Sequence, residues 1–225
     1  MKAGIAAGVA VISTGCAKFP ATSGTQNIHL IFTMTVAGHI QDGSQNGEAP
    51  YIYIIAVNPS TDLFPISTGP EPVISQPWGN GFVAGGATHF IQYALGQVSP
   101  YTVYQFTDSS LTAWAATGVP INTSTTTNKI QFEIDMSQIK PSDVGDVSTL
   151  QSVQVNFLTM NRRPQGGDTG SKVWDALGNS GDPNSINDYV RIPLTSSRVY
   201  TNADFQDLEP QGDCPDPNLD IIDWS

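Results

Sequence analysis

Residues 130–136 read Ile130-Gln-Phe-Glu-Ile-Asp-Met136, and this alternation decides the fold class. Ile130, Phe132, Ile134 and Met136 fall on one side of an extended chain, while Gln131, Glu133 and Asp135 fall on the other. The same period of two runs from Ile28 to Val36, where Ile28, Leu30, Phe32, Met34 and Val36 alternate with His29, Ile31, Thr33 and Thr35. Tyr51–Val57 is apolar at nearly every position, the pattern of a strand buried on both faces. Thr88–Leu95, Tyr101–Thr107, Leu111–Ala115, Val153–Thr159 and Tyr189–Leu194 complete the set of expected strands. Gly, Pro, Asn and Asp separate them, and only Pro141–Leu150 has room for a helical turn. The expectation is an all-β, antiparallel two-sheet β-sandwich of jelly-roll type with long loops.

The chain has 225 residues, with 9 basic against 20 acidic side chains and a net charge of −11. Such an acidic balance argues against nucleic acid and anionic membrane surfaces, whose phosphates need Lys and Arg. The first sixteen residues carry one basic residue, Lys2, then an uncharged run from Ala3 to Ile12 and Ser13-Thr14-Gly15-Cys16. That order is the pattern of a bacterial lipoprotein leader. The apolar run is about half the roughly 20 residues of a spanning helix, so it reads as an export signal. The expected organisation is a signal peptide over 1–15, a lipidated Cys16 with a polar spacer over 16–26, a sandwich over 27–201 and an acidic tail over 202–225 that either packs on the sandwich or is solvated. The address is extracytoplasmic, held at the membrane only through the lipid, with plain secretion as the alternative. Cys16 and Cys214 are the two cysteines, so either Cys16 is acylated or the two form a bridge.

Long loops at 58–87 and 162–187 exceed what a sandwich needs to turn, which marks them as functional or mobile. Tyr51-Ile-Tyr-Ile-Ile-Ala-Val-Asn58-Pro59, followed by Ser67-Thr68-Gly69, resembles the early strand and loop of extracytoplasmic sandwiches related to carbohydrate-binding module 9 and DOMON domains. Trp174-Asp-Ala-Leu-Gly-Asn179 and Pro217-Asn-Leu-Asp-Ile-Ile-Asp-Trp224 resemble segments of uncharacterised bacterial envelope proteins. The first resemblance implies sugar binding between tryptophans, often with structural calcium; for DOMON relatives it implies sugar or haem. The aromatic and acidic spacing of the chain carries over no family site.

Sugar binding has its own physical basis, because apolar pyranose faces lie on exposed rings while amides take the hydroxyls. Trp78, Phe82, Tyr93 and Trp114, with Asn80 and Gln92 as polar partners, are the candidates for a polysaccharide or cell-surface glycan, and Tyr101 and Tyr104 are further aromatic candidates. Strand aromatics are also ordinary core residues, whereas Trp78 sits between Pro77 and Gly79 in a long loop. In the tail, Asp213, Asp216, Asp220 and Asp223 form a candidate calcium set, although without the order of an EF-hand loop. His29, His39 and His89 fall in separate segments, which gives no soft-metal or haem spacing. Glu133 and Asp135 lie on one strand face about 7 Å apart, as in laminarinase-type glycosidases. The third acid of that motif is replaced by Gln138.

The reading is therefore a non-catalytic, extracytoplasmic carbohydrate-recognition module with possible calcium. A jelly-roll glycoside hydrolase and a structural envelope or filament subunit are the alternatives. If the leader reading holds, the wild-type protein fractionates with membranes and intact mass shows a lipid on Cys16. The Cys16→Ser form becomes soluble or stays unprocessed, and an unmodified Met1 start in the native host would contradict the reading.

Overall fold

A computed structural model describes residues 28–44, 47–95, 99–178, 188–205 and 212–225. Its strands are β1 (His29–Val36), β2 (Ile52–Ser60), β3 (Pro70–Pro72), β4 (Val83–Gly85), β5 (His89–Tyr93), β6 (Tyr101–Phe106) and β7 (Trp114–Gly118). They continue with β8 (Asn122–Thr125), β9 (Lys129–Asp135), β10 (Ser152–Met160), β11 (Trp174–Ala176), β12 (Val190–Pro193) and β13 (Ile221–Trp224). The smaller sheet has the order β13-β1-β9-β8, and the larger runs β11-β10-β2-β5-β6-β7 with β12 also on β10. Every pairing is antiparallel, and β3 with β4 forms a separate ribbon. The protein is an all-β, two-sheet sandwich. Among the described residues no helix is long and apolar enough to cross a membrane.

The period-two reading selects the inner faces. Phe32, Met34, Phe132 and Ile134 of the small sheet meet Tyr53, Ile55, Val155 and Phe157 of the large one in the main core. A second apolar cluster lies on the opposite face of the large sheet, where Ile54, Ala56, Phe90 and Leu158 are capped by Val83 of β4 and by Phe82 and Leu111 from loops. All nine residues of β10 are buried. Its centre holds Asn156, whose amide donates to the carbonyls of Pro70 and Asp188, each at 2.9 Å, and accepts from the Leu177 amide at 3.2 Å. That buried polar side chain satisfies loop backbone in the gap that β11 and β12 leave along the far edge of β10.

The structure departs from the sequence reading at short elements. The strand expected at Leu111–Ala115 begins at Trp114, because the Asp108 carboxylate accepts from the amides of Thr112 and Ala113 and fixes a turn there. Leu111 within that turn has a φ of 57°. β3, β4, β8, β11 and β13 were not among the expected strands. Each has three or four residues, and a neighbouring strand supplies its partners rather than its own periodicity. The turn expected within Pro141–Leu150 is a single 3-10 turn at Val147–Thr149.

His89 is 2% exposed at the start of β5, with Nδ1 2.9 Å from the Thr88 hydroxyl. Burial pushes its pKa down to about 4, from the ordinary 6.5. Below pH 6.5 the unfolded chain takes a proton there that the folded chain refuses. Stability is therefore retained above pH 6.5 and falls between 6.5 and 4, by on the order of 1 kcal/mol per pH unit from this group. Urea denaturation at pH 7, 6 and 5 checks this, with the His89→Gln variant expected to show a flatter decline. Equal slopes for the two proteins would contradict it.

Candidate functional site

The acidic tail folds back onto the sandwich edge. Asp216 organises a turn: its carbonyl accepts from the amides of Leu219 and Asp220, and its carboxylate accepts from the Asn218 amide at 3.0 Å. The Asp220 carboxylate then receives the amides of Gly212 and Cys214 at 3.0–3.2 Å. Asp175 of β11 accepts from the Ile221 amide at 2.8 Å through one oxygen. Its other oxygen is buried without a hydrogen-bond partner, in a residue with no exposed surface. One oxygen from each of Asp175, Asp213 and Asp220 lies within 4.8 Å of the other two. Burial, followed by the charges of Asp213 and Asp220, pushes the Asp175 carboxyl up to about 8. Burial raises Asp220 as well, and it lifts the Cys214 thiol to about 12.

This geometry corrects the calcium set expected from the sequence. Asp213 and Asp220 converge, but Asp216 is engaged by the Tyr51 hydroxyl at 2.6 Å and Asp223 is exposed on β13 opposite Thr35. Asp175, which completes the cluster, was missed. Its signal was a lone acid in the apolar segment Val173-Trp-Asp-Ala-Leu177, a place where a carboxylate needs a specific reason.

Most of the expected sugar residues are engaged in packing or in loop contacts. Phe82 is fully buried, Trp78 is 8% exposed and donates its indole N–H to the Asp168 carbonyl, and Tyr93 lies in the core between the sheets. Phe82 and Tyr93 present no open ring face, whereas Trp78 lines a surface cavity of about 640 Å³ with Gln76, Pro77 and Asp168. Trp114 packs edge-on to Phe82 at 5.4 Å, and the Arg163 guanidinium covers both rings at 4.1 and 5.3 Å while donating to Gln92 at 2.5 Å. Asn80 is a loop strut, donating to the Leu111 carbonyl and accepting from the amides of Phe82 and Val83. Tyr101 is buried with its hydroxyl on the Ser124 carbonyl, and Tyr104 stacks on Phe90.

The Glu133/Asp135 strand face is likewise engaged. Glu133 is held by His29 Nδ1 and by the Asn122 amide, both at 2.6 Å. Asp135 caps the 3-10 turn Met136–Ile139, and Gln138 returns a bond to the Asp135 amide, so the residue replacing the third acid closes a capping box. Cys16 lies outside the described residues. Cys214 is a buried free thiol whose Sγ is 3.6 Å from the Trp174 carbonyl.

An open groove runs along β1. The Ile28 carbonyl faces β9 through Met136, whereas Thr33 exchanges two bonds with Ser225 on the opposite edge. Strand alternation therefore turns the main-chain groups of His29 and Ile31 to the edge that β13 leaves uncovered, since its pairing with β1 starts at Met34. The cavity beside this edge has a volume of about 580 Å³ and is lined by Gln131, Ser197, Arg198 and Tyr200 together with the buried Phe157 and Trp224. A contiguous cavity of about 360 Å³ extends it past Leu194 and Ser196. Comparison with protein-family models, curated proteins and solved structures finds no match to this chain.

Proposed function

We propose that this protein is a non-catalytic recognition module of the cell exterior whose ligand is a polysaccharide chain lying along the β1 groove. The export address rests on the leader pattern of Met1–Cys16. The observation that carries the ligand class is the groove itself, whose lining sets the Tyr200 ring beside the hydroxyls of Thr33 and Ser197, the Gln131 amide, and main-chain groups of His29 and Ile31 that have no partner on this edge among the described residues. Sugars need that mixture: apolar faces for the CH groups of the ring, and donors and acceptors of both kinds for the hydroxyls. Hydrolysis has weaker support, because the two carboxylates on β9 serve His29, Asn122 and a capping box. The free edge at His29 and Ile31 favours a second reading, a structural subunit that accepts an extended strand from a neighbouring copy.

Binding of the mature domain to immobilised β-glucan, xylan, α-glucan and chitin tests the proposal, with tryptophan fluorescence as a second readout of Trp224. Saturable retention on at least one polymer is expected, with Tyr200→Ala or Gln131→Ala weakening it about tenfold, equivalent to about 1.4 kcal/mol. Retention on none, or retention unchanged in both variants, would overturn it. Growth of particle size with protein concentration would support the strand-accepting reading instead.

A further inference from the structure

We infer that Asp175, Asp213 and Asp220 form a calcium site that clamps the edge strand of one sheet to the edge strand of the other. Asp175 belongs to β11 at the rim of the large sheet, and Asp220 immediately precedes β13 at the rim of the small one. The three carboxylates each bring an oxygen within 4.8 Å of the others. Among the described residues no Lys or Arg pairs with Asp175 or Asp220. Charges of like sign at that distance, shielded from water, repel strongly unless a cation or protons neutralise them.

A second feature points to a ligand. One oxygen of the Asp175 carboxylate has no hydrogen-bond partner among the described residues, although Asp175 has no exposed surface. Buried carboxylate oxygens are ordinarily satisfied, so an unpartnered one in a carboxylate grouped with two others points to a cation as its partner. The other Asp175 oxygen and both Asp220 oxygens are oriented by backbone amides of Ile221, Gly212 and Cys214, a supporting shell that holds the donors in place.

The donor chemistry selects the ion. Oxygen ligands on irregular backbone suit calcium, which accepts six to eight oxygens in adaptable geometry, whereas magnesium demands a near-ideal octahedron. The Cys214 thiol is turned to the Trp174 carbonyl and is no part of the cluster, which disfavours zinc and other thiophilic metals. The inference is independent of the polysaccharide reading, since the cluster shares no residue with the β1 groove.

Terbium is the probe of the site, because Trp174 adjoins Asp175 and sensitises bound lanthanide. The full chain, stripped with chelator, is expected to show tryptophan-excited terbium emission that calcium displaces and magnesium does not. Calcium at 100 times its Kd is expected to raise Tm by about 5 °C or more, reversed by chelator. Asp175→Asn keeps an acceptor for the Ile221 amide while removing charge. It is expected to lose the emission and the calcium shift while its Tm in chelator is equal to or above that of wild type. Loss of a merely structural hydrogen bond would instead lower that Tm. If this variant fails to fold, Asp213→Asn carries the same test. Absence of emission and of any calcium shift in wild type, or their persistence in a folded variant, would overturn the inference.

Discussion

The pairing of Ile52–Ser60 with Ser152–Met160 along all nine residues is the constraint on which the rest of the structure depends. Both strands lie inside the large sheet and are buried along both faces, so neither face is left to water. The small sheet covers one face. The other is covered by the β3–β4 ribbon, which carries Val83, and by the loops that carry Phe82 and Leu111. Apolar burial stabilises by roughly 25 cal/mol per Å², so an uncovered second face would forfeit much of the drive to fold.

This requirement accounts for the length of the loops and for the cations within them. Lys172 is buried, with its ammonium about 5.5 Å from the rings of Trp78 and Trp174 and donating to the carbonyls of Val73 and Gly81. Arg163 lies over Phe82 and Trp114 in the same way. Aromatic faces and carbonyls replace the carboxylates that would ordinarily accompany buried cations, and they fasten the loops from 73–82 and 162–173 to each other. The tail closes the remaining edge, where Trp224 packs against Phe157 and Leu219 offers its carbonyl to Thr159 at 2.6 Å.

The long strands were legible because each carries its own evidence: the sequences of β1 and β9 alternate in apolar residues over eight and seven positions, and β10 is a nine-residue run holding Val153, Val155, Phe157 and Leu158. β8, Asn122-Thr-Ser-Thr125, carries no apolar residue and is a strand only because β9 offers it an edge. The site was half legible. Acid crowding marked Asp213 and Asp220, but Asp175 joins them through a contact across the fold that no local spacing encodes. The packing of the aromatic candidates was hidden from the sequence for a related reason. Trp78 and Phe82 look exposed when flanked by Pro, Gly and Asn, yet the loop they occupy is the lid of a second core. Gln138 reads as a lost catalytic acid in the motif and is a capping residue in the fold.

The central claim is that residues 212–225 are a component of the sandwich rather than a solvated acidic terminus. Native-state hydrogen exchange on the full chain tests it most directly, because the amides of Ile221 and Ser225 are committed to Asp175 and Thr33. The account predicts that these amides exchange nearly as slowly as those of Val155 and Phe157 in β10, in a shared cooperative opening. Exchange at the rate of an unstructured peptide, with β10 still protected, would contradict it.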